Sequence, residues 1–100
     1  MSTKNTYSAI EKERDAIHFS ILDFLQKKHI ENVKEQSMGV LLFTNWFGCN
    51  KWSLRIGIEY HVSASYVYIV LFKNNNEQLW VRYDGSINKI FDHIMTAIQN

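Results

Sequence analysis

Between residues 51 and 62 the chain reads KWSLRIGIEYHV, a strict alternation. Trp52, Leu54, Ile56, Ile58, Tyr60 and Val62 fall on one side; Lys51, Ser53, Arg55, Gly57, Glu59 and His61 fall on the other. A period of two predicts a β-strand with one buried face and one polar face. The next stretch, ASYVYIVLFK at 64–73, has no polar side at all. It predicts a neighbouring strand that is apolar on both faces, and so raises the question of what covers the second one.

The flanks follow a different period. Ser8 followed by Glu11 fits a capping box, in which hydroxyl and carboxylate each satisfy a free amide at a helix start. Ile10, Ile17, Ile21, Phe24 and Leu25 then fall within about 100° of one another at 3.6 residues per turn, a single apolar stripe. Lys27, Lys28 and His29 place positive charge in the last turn, where it suits the helix dipole. The pattern predicts a helix over 8–29, with Phe19 pointing away from the stripe. At the other end, Ile87, Ile90, Phe91, Ile94 and Ile98 form a second stripe behind a capping Ser86.

Residues 30–37, IENVKEQS, show no period and read as a connection. MGVLLFTNWF at 38–47 is rich in β-formers and predicts a strand whose buried face is either Val40 with Leu42 or Leu41 with Phe43. GCN reads as a turn, SAS at 63–65 as a bend, and NNN at 74–76 as a second strong turn signal, since Asn tolerates the left-handed backbone region. QLWVRY at 78–83 is a short last strand, ended by Asp84-Gly85. The order is helix, four strands, helix. Short connections make neighbouring strands antiparallel, and two amphipathic helices need one sheet face to bury their stripes. The fold expected is an α+β two-layer sandwich: a four-stranded antiparallel meander with both helices on one face. It forms a single domain over 1–100, with 1–7 flexible.

Composition narrows the function classes. At 100 residues, 46% apolar and 21% charged, the chain has the balance of an ordinary folded domain rather than a disordered one. A net charge of +1 is far from the basic footprint of a dedicated duplex-DNA binder. The single cysteine, Cys49, admits no internal disulfide, and MSTKNTYSAI lacks the pattern of a signal peptide. Apolar runs are too short to span a bilayer. A soluble protein of the reducing cytoplasm, with no membrane partner, is the expectation.

Catalytic and metal chemistry finds little footing. His18, His29, His61 and His93 are spread over different elements, and only His18 with His93, on two helices, could come together as ligands. Cys49 and His61 sit near opposite ends of one strand, roughly 30 Å or more apart at its rise per residue, too far for a nucleophile and its base. Glu11, Glu13 and Asp15 alternate with Lys12 and Arg14, which reads as a solvated helix flank. Glu59 and His61 share a strand face as a surface ion pair. The four glycines form no phosphate-cradling loop. No catalytic residue, metal ligand or cofactor is assigned, and the chain reads as a non-enzyme.

The uncovered sheet face carries the functional expectation. Parity places Val67, Ile69, Leu71, Leu79, Val81 and Tyr83 inward. Lys51, Arg55, Glu59, His61, Tyr66, Tyr68, Val70, Trp80 and Arg82 then face outward. Tyr, Trp and Arg are the side chains enriched at interface hot spots, although cross-strand aromatic pairs also stabilise a face that meets only water. The reading is a small protein-binding module of inhibitor, immunity, antitoxin or adaptor type. It would act as a homodimer or on a partner protein through Lys51, Arg55, Tyr66, Tyr68, Trp80 and Arg82. One alternative is single-stranded nucleic acid, its bases stacked on Tyr66, Tyr68 and Trp80 and its phosphates on Lys51, Arg55 and Arg82. Another is a small ligand held between sheet and helices by Trp46, Trp52 and Tyr60.

Overall fold

A computed structural model describes residues 8–28, 30, 33–44 and 50–99. Helix α1 spans Ala9–Lys27 and begins with the capping box. The Glu11 N–H donates to Ser8 Oγ at 3.3 Å, and the Ser8 N–H donates to Glu11 Oε1 at 3.2 Å. The Ser8 hydroxyl, donating to Glu11 Oε1 at 2.9 Å, and after it the Ser8 N–H hold the Glu11 carboxyl below its ordinary pKa. The helix closes at Lys28, one residue short of the predicted end; His29 itself lies outside the described residues.

Five strands follow rather than four: β1 Lys34–Ser37, β2 Val40–Thr44, β3 Lys51–Glu59, β4 Tyr66–Lys73 and β5 Asn76–Arg82, before helix α2 at Ile87–Gln99. They form one antiparallel sheet in chain order. The stretch read as a connection thus contains β1, KEQS, whose four residues are all exposed. With no buried side it has no alternation to betray it. It forms because Gly39, at φ +86°, turns the chain back and the edge of β2 offers main-chain partners.

Two further boundaries move. Strand β3 stops at Glu59, paired with Tyr66, the first residue of β4. Tyr60 and Val62, expected inward, therefore lie past the end of the ladder, with Tyr60 64% exposed and Val62 fully so. Alternation confers burial only where a neighbouring strand carries the sheet on. The bend at SAS becomes a loop over 60–65, where the His61 N–H donates to Ser65 Oγ at 3.2 Å. The turn expected at NNN forms: Asn74 and Asn75 sit at φ 50° and 71°, the pairing of left-handed residues that a two-residue hairpin turn needs.

One core holds the layers together. Ile17, Ile21 and Leu25 of α1 and Ile90, Ile94 and Ile98 of α2 pack on Leu41, Phe43, Trp52, Leu54, Ile56, Val67, Ile69 and Leu71. Both helices thus lie on the same sheet face, as the two stripes require. Their rings meet where Phe24 stacks on Phe91 with centroids 4.1 Å apart. The open question of register in β2 resolves with Leu41 and Phe43 inward and Leu42 outward. Of the predicted strand, Met38 and Gly39 form the turn before β2, while 45–47, with Gly48 and Cys49 of the turn that follows, lie outside the described residues.

Candidate interaction surface

Register builds the outer face row by row. Val40, Arg55, Val70 and Trp80 stand abreast across β2 to β5; Gly57, Tyr68 and Arg82 form the next row, and Glu59 with Tyr66 the last. Tyr68 leans across β3 onto Gly57. A Cβ at position 57 would stand 2.5 Å from the Tyr68 Cζ and hydroxyl, so the strand can carry no side chain there without moving the ring. Lying over, Tyr68 stacks on Trp80 with centroids 5.7 Å apart and planes 19° from parallel. Trp80 also meets Tyr66 edge-on at 6.4 Å.

Two guanidinium groups and an imidazole finish the cluster. The Arg82 guanidinium sits over the Tyr66 ring at 4.2 Å, and His61, beyond the end of β3, lies nearly parallel to that ring at 5.8 Å. Arg55 sits over Phe72 at 5.6 Å. These contacts answer the question of the two-sided strand in part. Val70 faces away from both helices and is still only 7% exposed, because the side chains around it close over it. Trp80, at the rim of that cover, remains 48% exposed. A guanidinium over an aromatic face contributes about 0.5–1 kcal/mol at an exposed site.

Of the residues expected to make contacts, Tyr66, Tyr68, Trp80 and Arg82 come together, and Arg55 joins them beside Val70. Lys51 does not: it opens β3 opposite Thr44, its N–H donating to Asn74 Oδ1 at 3.0 Å. Gly57 and Phe72 belong to the surface and were not singled out. Phe72 shares the parity of Tyr66, Tyr68 and Val70, and Gly57 interrupts a strand interior; both signals were in the sequence.

Elsewhere, His18 is fully buried on α1. Its Nδ1 accepts from the Gly39 N–H at 3.0 Å, and its Nε2 faces the Glu35 carboxylate. Since Nδ1 accepts, Nε2 carries the proton in this arrangement. The ring therefore fastens α1 to the β1–β2 hairpin. His93 is on the other side of the molecule, in a groove of about 450 Å³ between β5 and α2, so the two histidines do not meet. Among the described residues no three His, Cys, Asp or Glu side chains cluster as a metal site. Trp52 and Tyr60, expected to line one ligand pocket, sit at opposite ends of β3, and Tyr60 is in solvent. Trp46 lies outside the described residues. A cleft of about 470 Å³ does open at the β2–β3 end, between Leu42, Phe43, Lys51 and Trp52.

Where β5 passes to α2, the Asp84 carboxyl is held below its ordinary pKa, first by the Lys89 ammonium at 2.9 Å and then by the Ser86 N–H. Burial raises the neighbouring Tyr83 hydroxyl, with Glu13 and Asp84 adding to the effect. No helix among the described residues is long and apolar enough to cross a membrane. The chain matches no family model, no curated protein and no solved structure to a significant degree.

Proposed function

We propose that this chain is a small, non-enzymatic protein-binding module that works as a homodimer and takes a partner protein on its outer sheet face. One observation carries the reading. The face opposite the helices holds a connected cluster of Tyr66, Tyr68, Trp80 and Arg82 with the indole half exposed. Aromatic rings and guanidinium groups already locked by one another present area at little further cost in side-chain entropy, which is the property of interface anchors.

The same geometry weighs against stacked bases. Tyr66 already carries Arg82 over its ring with His61 alongside, and Tyr68 lies between Trp80 and Gly57. A base would have to displace a side chain to reach either ring, whereas a protein surface can cover the cluster as it stands.

The test is affinity capture from the native host with three baits: wild type, Trp80→Ala with Tyr66→Ala, and the helix-surface control Lys27→Ala. A protein retained by wild type and control and lost with the double variant is the expected result. Equal capture by all three baits overturns the reading. Salt-sensitive quenching of Trp fluorescence by an oligonucleotide transfers the face to nucleic acid.

A further inference from the structure

The two edges of the sheet are unlike. Strand β1 is four polar, exposed residues long, and its pairing with β2 shifts register between Glu35 and Ser37. Short, polar and irregular is how folded proteins blunt an edge against further pairing. Strand β5 is seven residues long and has Leu79, Trp80 and Val81 at its middle. Its irregularity is confined to the turn end, at Leu71/Phe72, and from Leu79 to Arg82 it pairs regularly with β4. This half carries no proline, no lysine and no inward charge.

One hydrogen bond sets the phase of that edge. The Tyr83 N–H donates to the Val67 carbonyl at 2.8 Å, so Tyr83, Val81 and Leu79 turn their main-chain groups toward β4. Antiparallel alternation then turns the N–H and C=O of Trp80 and Arg82 toward the free side. Among the described residues β4 is the one strand that pairs with β5.

We propose that this edge pairs antiparallel with the same strand of a second copy, about a two-fold axis at Trp80, joining two five-stranded sheets into one of ten. The strand's own charges select that occupant. Glu77 stands near its start and Arg82 at its end, both exposed. Antiparallel self-pairing about Trp80 sets Gln78 opposite the Arg82 of the other copy with Glu77 one residue along, level with the outward Phe72, so that opposite charges come near each other, whereas parallel pairing sets like charge beside like. Centring on Trp80 also places Leu79 opposite a second Val81. The groove between β5 and α2, where Leu79, His93 and Ala97 meet, receives the inward side chains of an added strand. The two outer faces then run together, doubling the aromatic surface. The pairing rests on the homodimeric part of the proposed function and not on what the outer face binds.

Sedimentation and amide exchange test it together. Wild type at about 100 µM should have the mass of two chains, a concentration well above a dissociation constant in the low micromolar range. The amides of Trp80 and Arg82 should then exchange as slowly as those of Leu79 and Val81. On dilution to monomer, Trp80 and Arg82 should become fast while Leu79 and Val81 stay slow. Glu77→Lys or Arg82→Glu alone should weaken the dimer about tenfold, and the two together should recover most of the loss. A mass of one chain overturns both this pairing and the homodimeric reading, and leaves partner capture by the face as a separate result. A dimer with fast exchange at Trp80 and Arg82 overturns the edge pairing alone.

Discussion

The inner and outer faces of β3 and β4 solve the same packing problem with different residues. Inward, Leu54, Ile56, Val67, Ile69 and Leu71 are aliphatic and at most 3% exposed, because two helices supply the cover. Outward, β4 places Tyr66, Tyr68, Val70 and Phe72, and the cover comes from the sheet's own side chains. An aliphatic side chain needs a layer above it. An aromatic ring or a guanidinium can reach sideways across 5–6 Å to a neighbouring strand and build a partial layer from within. What it cannot do is close the layer completely, and the half-exposed indole of Trp80 is the remainder.

The contrast should be plainest in stability. Leu54→Ala or Ile69→Ala removes a fully buried side chain from beneath the helices and should cost about 3 kcal/mol in urea unfolding. Trp80→Ala, although it deletes more atoms, should cost only about 1 kcal/mol, since it loses ring contacts at a solvated surface. Equal losses from Leu54→Ala and Trp80→Ala would mean that the outer cluster is a second core rather than a presented surface.

Between these lies His18, a fully buried polar side chain of the inner side. His18→Ala leaves the Gly39 N–H without its acceptor and Glu35 without its partner, and should cost about 2 kcal/mol. The loss should localise: amides of β1 and the 38–39 turn should exchange faster while those of β3 and β4 keep their protection. Uniform acceleration across the sheet would instead make His18 part of the global core.

Gly57 sharpens the comparison from the outer side. The atoms its substitution would meet are the far end of Tyr68, which can swing away, so Gly57→Ala should displace the ring rather than the strand. The cost should be about 1 kcal/mol, the worth of the Tyr68–Trp80 stack. In a Tyr68→Ala background that cost should fall close to zero, a coupling that a double-mutant cycle measures directly. Additive losses would place the constraint in the backbone of β3 and not in the ring above it.

These residues also mark how far the sequence could be read. The inward faces of β3 and β4 were legible because strict alternation has one physical cause, a single covering layer. The Asn74-Asn75 hairpin and the Ser8–Glu11 cap were legible because each is a local bargain between a side chain and its own backbone. Strand β1 was not, since KEQS pairs through main-chain groups that every residue carries. Tyr60 and Val62 misled for a related reason: they continue the alternation past the point where β4 stops pairing. The outer cluster was legible as a set of residues and not as an arrangement. Parity placed Tyr68 and Trp80 on one face, but the stack exists because a glycine on the next strand lets the tyrosine lie down.

The smallest effect belongs to the joint between the layers, at Asp84, which is exposed and on neither face. Its carboxyl titrates below its ordinary value because the Lys89 ammonium and the Ser86 N–H both favour the ionised form. A depressed folded-state pKa contributes stability that is complete above the unfolded value and is lost as pH falls through the lowered one. Wild type should therefore melt slightly above Asp84→Asn at neutral pH, with a constant gap down to the ordinary carboxylate range. Below that the gap should close, and added salt should narrow it at any pH because the Lys89 pair meets solvent. A gap that persists in strong acid would belong to the asparagine's own effect on the Gly85 turn, where φ is +99°, and not to the ion pair. Repeating the titration with Lys89→Met separates the two: it should abolish the salt dependence and leave the turn untouched.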